Sequence, residues 1–240
     1  VTHSTEAPRR LVLFDIDGTL LDSHGAGRAA LKAALIEVYG TAGRIDTYPM
    51  GGSTIRHILY NLLAEVDVPR EVVESTFDRF VAVWVPALAR TIDQHRSEVY
   101  PGVCRLVDAL ATHPDVLLGL VTANVEPTAR LKLEAAGLDP ARFPAGAFGD
   151  ASEVRADLIP LAVAQAGALS GVEFAGESVV VFGDAPGDVT AARQVGARAI
   201  GVLTGGSDRA ALEAAGADRV FADLTDTDAI VEAIFADGSP

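Results

Sequence analysis

The chain carries a single cysteine, Cys104, in 240 residues. An internal disulfide is therefore excluded. Within GVCRLVDAL the residue follows a helical pattern and reads as a small core residue rather than a reactive thiol. Positive charge is scarce: 19 Lys and Arg stand against 33 Asp and Glu, for a formal net charge of −14. Nucleic acid and anionic membrane surfaces, which select basic faces, are not expected partners. Only two lysines occur, Lys32 and Lys132. No apolar run approaches the roughly 20 residues of a membrane span. The N-terminal VTHSTEAPRR lacks the apolar stretch of a secretory signal and reads as a loose arm, which makes the cytoplasm the expected location. The five histidines, at 3, 24, 57, 95 and 113, form no close pair of the kind a helical zinc site needs.

What is present is an alternation. Short β-branched runs, RLVLFD (10–15), VLLGLVTA (116–123), SVVVFGD (178–184), ARAIGVLT (197–204) and DRVFAD (218–223), are nearly continuous in apolar residues. Such runs suit parallel strands buried on both faces. Helical patterns lie between or after them at about 103–112, 126–136, 155–167, 187–195, 208–215 and 227–236. The expectation is an α/β domain with a doubly wound parallel sheet, whose ligand site lies at the C-terminal ends of the strands. Residues 24 to about 97 break the pattern. AGRAALKAALIEVY, STIRHILYNLLAEV and REVVESTFDRFVAVWVPALART read as amphipathic helices separated by turn signals. A helical module is thus inserted after the first strand, at the end of the sheet where a lid would sit. The expected division is a core of 1–22 and 98–240 and a helical cap of 23–97.

Three strands end in polar groups. The first runs into Asp15-Ile16-Asp17-Gly18-Thr19, the second into Thr122-Ala123-Asn124, and a later one into Gly183-Asp184, with Asp188 four residues on. Four carboxylates near one sheet edge repel one another unless a hard cation sits among them, and oxygen ligands of this kind suit Mg²⁺. Asp17 before a glycine also fits a turn cap. Thr122 alone also fits an ordinary strand residue.

DIDGTLLDS and GDAPGDV, in that order with a strand ending in Thr between them, resemble the haloacid dehalogenase superfamily in its phosphatase branch. The resemblance spans nearly the whole chain. It implies that Asp15 is the nucleophile and Asp17 the general acid/base. Gly18, Thr122, Ala123 and Asn124 would bind the phosphoryl oxygens. Asp15, the Asp17 carbonyl, Asp184 and Asp188 would hold Mg²⁺. Two positions depart from the family's usual residues. Ala123 stands where glycine is common, which puts the local dihedral in question, and Ala185 stands where threonine is common. The family also uses a basic residue, usually lysine, at a helix start before Asp184. Lys132 falls too early in the chain. Arg155 is the candidate, able to neutralise Asp15 and clamp the phosphoryl group. A surface arginine is the competing reading.

The insert resembles the helical cap of phosphoglycolate phosphatase-like and β-phosphoglucomutase-like members, which closes over a small phosphorylated metabolite. Within YPMGGST and the flanking helices, Arg28, Gly52, Thr54 and Arg56 are the candidate specificity residues, with Gly51, Lys32, His24 and His57 nearby. Phosphonoacetaldehyde hydrolases place an imine-forming lysine shortly after a Pro-Met-Gly segment, but Thr54 occupies that region here. The leading expectation is a Mg²⁺-dependent phosphomonoesterase acting on a small metabolite, as a monomer or homodimer. A phosphomutase with the same nucleophile and a non-catalytic binding protein are the alternatives. C–halogen hydrolysis is disfavoured by Asp17 and Asp184.

Overall fold

The computed structural model describes residues 9–236. The N-terminal arm read from the sequence lies, for residues 1–8, outside the described residues. Five of the six strands of the main sheet are the apolar runs: β1 (Arg10–Phe14), β4 (Val116–Thr122), β6 (Val179–Gly183), β7 (Arg198–Val202) and β8 (Arg219–Phe221). The sixth, β5 (Ala145–Phe148), carries only the sequence AGAF. Small residues have weak strand propensity, so nothing in the sequence pattern announces it. The order is β5-β4-β1-β6-β7-β8, and every pairing is parallel.

From β1 the chain builds outward through β4 and β5 on one side, then through β6, β7 and β8 on the other. The order therefore reverses beside β1, which opens a crevice at its C-terminal end. Phe14 pairs with Leu120 of β4 and Phe182 of β6, and the Asp15 N–H extends the ladder one step by donating to the Phe182 carbonyl at 2.9 Å. Asp15 is thus the first residue beyond the paired strand, fixed by a backbone bond to its neighbour. Phe14 stacks on Phe182 with ring centroids 4.7 Å apart, anchoring the same point from beneath.

The helices cover both faces: α4 (Val103–Ala111), α5 (Glu126–Ala135), α6 (Arg155–Ser170), α7 (Pro186–Gln194), α8 (Arg209–Ala214) and α9 (Thr227–Phe235). Helix α4 turns Val103, Leu106, Val107 and Leu110 to the core. Cys104 falls on the opposite face and is exposed, so the expectation of a core cysteine is corrected: the helical period places position 104 outward.

A two-residue strand β2 (Leu21–Asp22) pairs antiparallel with β3 (Glu98–Val99), and this ribbon brackets the insert. Its three helices are α1 (Ala26–Tyr39), α2 (Ile55–Ala64) and α3 (Arg70–Ile92). They bury their own apolar cluster, with Leu35, Leu59, Phe80 and Leu88 at its centre. Thr54 caps α2, its hydroxyl accepting from the His57 N–H at 3.2 Å. The insert is stapled to the loop before α6: the Thr54 hydroxyl donates to the Glu153 carbonyl at 3.1 Å, and Arg70 pairs with Glu153 at 2.6 Å.

The return from the insert depends on Gly102, which precedes α4 at φ +84°. A Cβ there would lie 2.0 Å from the Leu224 carbonyl oxygen. Gly137 has a similar φ of +81° but nothing within 4 Å. Gly102→Ala should therefore cost about 2 kcal/mol or more, lowering Tm by at least about 4 °C. Gly137→Ala should cost only the backbone strain of about 1–2 kcal/mol. Thermal unfolding of the two variants side by side checks this.

Candidate active site

The segment after β1 resolves how one strand delivers two acids to one place. Ile16 is fully buried, and its carbonyl accepts from the N–H groups of Thr19, Leu20 and Leu21 at 3.3, 2.9 and 3.1 Å. With Ile16 turned into the core, Asp15 and Asp17 both face a cavity of about 550 Å³ between the sheet edge and the inserted helices. Gly18 follows at φ +88°, and a Cβ on it would meet the Asp184 carboxylate at 2.5 Å. Glycine here is required twice, by conformation and by approach.

Asp15 lies beside Arg155, whose NH2 is 3.0 Å from Oδ1, and the same NH2 is 2.7 Å from Asp188 Oδ1. Arg155 also donates to the Val121 carbonyl at 2.9 Å and to the Ser53 carbonyl of the insert at 3.3 Å. The guanidinium is buried, at 7% side-chain exposure, so the surface-arginine reading is excluded. Burial, the largest cause, pushes the Asp15 carboxyl up to about 6; Arg155 opposes the rise, while the charges of Asp188 and Asp17 add to it.

Asp184 ends β6. Burial, then repulsion from Asp15 and Asp188, pushes it up to about 8, against a hydrogen bond from the Thr19 hydroxyl at 3.3 Å. Asp188, in the first turn of α7, accepts from the Ala185 N–H at 3.2 Å through Oδ2. One oxygen from each of Asp15, Asp184 and Asp188 can be chosen so that all lie within 4.8 Å of one another. Hard oxygen donors in this number, with carboxyls that resist ionising together, fit a divalent cation such as Mg²⁺. The Asp17 carboxylate is not among these three.

Asp17 instead meets a cation of its own. Lys132 Nζ is 2.6 Å from its Oδ2, and the Asn124 side-chain amide donates to the same oxygen at 2.8 Å. The Ser23 hydroxyl is 3.5 Å from Oδ1. Lys132 lies on α5 with its side chain 5% exposed, and a Cβ on Gly27 of α1 would come within 3.0 Å of Nζ. Chain order set Lys132 aside as the partner of Asp15, which is Arg155; it gave no hint that Lys132 serves Asp17. The available signal was one of only two lysines in a chain that otherwise uses arginine.

Thr122 and Asn124 are buried, and the Thr122 oxygen accepts from the Asn124 amide at 2.9 Å, which leaves the hydroxyl proton free for the cavity. Ala123 lines the cavity and is not at positive φ, so the glycine usual there is not needed for conformation. Three cavity residues carry no sequence motif. Thr204 donates to the Gly18 carbonyl at 2.5 Å, and a Cβ on Gly205 would lie 1.7 Å from Asp184 Oδ2. Tyr100 is pushed up to about 12 by burial and by Asp22, Asp184 and Asp17, so its phenol stays a donor.

The insert's candidates divide. Gly52 lines the cavity and packs on Gly187, where a Cβ would meet the Gly187 Cα at 2.7 Å. Arg28 lines it too, with NH1 donating to the carbonyls of Ile45 and, at 3.0 Å, Tyr48. Thr54 and Arg56 do not line it. Thr54 is consumed as the α2 cap and by Glu153. Arg56 is drawn away to the Asp150 carbonyl, Tyr60 and Glu74. Lys32 pairs with Asp46 at 2.5 Å, His24 sits beside Glu98 at 3.1 Å, and His57 is exposed.

Because Asp15 and Asp184 are raised above their unfolded values, they favour folding at low pH. That contribution is complete below the unfolded carboxylate range and is lost as pH rises through about 6 and about 8. Metal-free protein should therefore lose Tm between about pH 5 and about pH 8.5. Asp184→Asn should flatten this loss and exceed the wild-type Tm at about pH 8 by roughly 2–4 °C or more. Added Mg²⁺ should raise the wild-type Tm there and leave the variant nearly unmoved, read by differential scanning fluorimetry.

Residues 9–196 match the family model described as haloacid dehalogenase-like hydrolase. No curated protein matches the sequence. Among solved structures, a hydrolase from Pseudomonas syringae is 27% identical over 95% of this chain and 100% of its own, with a TM-score of 0.73. A predicted phosphatase from Clostridium acetobutylicum is 19% identical over 94% and 100%, at 0.69. CbbY from Rhodobacter sphaeroides, solved in complex with phosphate, is 20% identical over 90% and 95%, at 0.66. With the family model covering most of the chain and the pattern of acids at the strand ends, the protein belongs to the haloacid dehalogenase-like hydrolases.

Proposed function

We propose that the protein is a Mg²⁺-dependent phosphatase that hydrolyses a small phosphomonoester metabolite through an aspartyl-phosphate on Asp15. The observation that carries this reading is the separate pairing of two cavity carboxylates: Asp15 with Arg155 and Asp17 with Lys132. One acid is placed to attack and the other to handle a proton.

Arg155 occupies Asp15 Oδ1, and no hydrogen bond from a described residue reaches the other oxygen. That oxygen attacks phosphorus. As the Asp15–P bond forms, the ester P–O bond breaks, its electron pair leaves with the ester oxygen, and the Asp17 carboxyl protonates that oxygen. In the second step Asp17 takes a proton from water, whose oxygen attacks phosphorus. The Asp15–P bond then breaks, releasing inorganic phosphate and restoring both acids. The Thr122 hydroxyl and the backbone N–H of Ala123 steady the phosphoryl oxygens, and Arg155 offsets their charge; the Gly18 N–H expected to join them donates instead to the Leu21 carbonyl at 3.0 Å. Lys132 and Asn124 hold Asp17 by one oxygen, and the other, with only the Ser23 hydroxyl at 3.5 Å beside it, faces the substrate. Mg²⁺, held by Asp15, Asp184, the Asp17 carbonyl and Asp188, would supply charge neutralisation between nucleophile and phosphate. Residues 23–97 act as the lid over a core of 1–22 and 98–240, limiting water around the reacting group.

Phosphate release from p-nitrophenyl phosphate with Mg²⁺ tests the reading. Asp15→Asn should abolish it, and persistence of activity in that variant would overturn the mechanism. Arg155→Ala should cost roughly 10²-fold or more in kcat/KM, with Arg155→Lys recovering part. Lys132→Met should cost about tenfold or more in kcat on an alkyl phosphate, and less on p-nitrophenyl phosphate, whose phenolate leaves without a proton.

A further inference from the structure

The cavity has a polar floor and an apolar roof. The floor holds the catalytic carboxylates, their cations, and the hydroxyls of Tyr100, Ser23 and Thr204. On the roof the insert presents Leu31, Met50, Ile55, Ile58 and Trp84. Four of these belong to the insert's own buried cluster, and Met50 packs on it, so the roof is the underside of a packed core rather than a mobile surface.

Most cations near the cavity are committed to acids of the protein. Arg28 is the roof's single charged residue, and its NH1 is spent on the Ile45 and Tyr48 carbonyls. Lys32 and Arg56 lie outside the cavity lining, paired with Asp46 and Glu74. Lys132 and Arg155 are held by Asp17 and by Asp15 with Asp188. A carboxylate on the substrate's organic part would find only the Arg28 nitrogens that the Ile45 and Tyr48 carbonyls leave. A polyol would press hydroxyls against carbon, where an unpaired polar group is costly.

We propose that the substrate is a monophosphate ester whose organic part is apolar, an alkyl or aryl body lying against Leu31, Ile55, Ile58 and Trp84. This rests on the phosphatase reading and narrows it. The same wall disfavours sugar-phosphate-like substrates, which carry many hydroxyls.

The test compares kcat/KM for n-butyl phosphate and benzyl phosphate with glycerol 1-phosphate and erythritol 4-phosphate, all with Mg²⁺. The leaving groups are all alcohols, so apolar esters have no intrinsic advantage in departure. Either apolar ester should exceed both polar ones by at least about tenfold, within the range that one or two well-buried groups contribute. Met50→Gln, close in size and half-buried, should narrow that ratio mainly through KM, while Asp15-dependent turnover of p-nitrophenyl phosphate persists. A wild-type ratio below tenfold, or a ratio unmoved by Met50→Gln, overturns the apolar-body assignment while the phosphatase reading stands. Failure to release phosphate from any ester, p-nitrophenyl phosphate included, overturns the phosphatase reading and this inference with it.

Discussion

A buried carboxylate is tolerated only beside a cation, a proton or a full set of hydrogen bonds, and the chain places two acids one residue apart at the end of its central strand. The rest of the site follows from how each is accommodated. Arg155, at the first turn of α6, reaches Asp15 and Asp188 together and ties them to the Val121 carbonyl of β4. Lys132, on α5, reaches Asp17 from the other side with the help of Asn124. Among the described residues no ion pair reaches Asp184, and burial with repulsion from Asp15 and Asp188 pushes its carboxyl up to about 8. Four acids and two cations thus share one sheet edge, with Asp15, Asp184 and Asp188 grouped where a divalent cation would fit and Asp17 set apart beside Lys132.

The same pairings couple the insert to the chemistry. Arg155 donates to the Ser53 carbonyl, Thr54 and Arg70 grip Glu153, and Gly52 packs on Gly187 beside Asp188. The loops that carry Arg155 and Asp188 are therefore the surfaces on which the insert rests. The roof it offers is the lower edge of its own apolar cluster, so the side chains that hold the insert together also line the cavity.

Much of this was legible in the sequence, for identifiable reasons. The buried parallel strands write themselves as apolar runs, and the acids at their ends stand out because nothing else in those runs is polar. Asp15, Asp17, Asp184 and Arg155 come together as that pattern and the family resemblance imply. What escaped lacked a local signal. Strand β5 is Ala-Gly-Ala-Phe and is a strand only because β4 offers it an edge. Lys132 looks like any helix lysine until the fold turns α5 toward Asp17. Thr204 and Gly205 are close to Asp184 and Gly18 through topology, not spacing. Arg56 and Thr54 looked like substrate readers because they flank a glycine loop; in the fold their bonds go to the loop before α6 and, for Arg56, to Tyr60 and Glu74.

The central claim is that Asp15 itself takes the phosphoryl group. Rapid acid quenching during turnover, followed by peptide mass spectrometry, measures it directly. The account predicts one phosphoryl group on the peptide carrying Asp15, appearing on the timescale of turnover and absent in Asp15→Asn. An unmodified Asp15 peptide throughout steady turnover, with a phosphoryl group found on another residue, would contradict it.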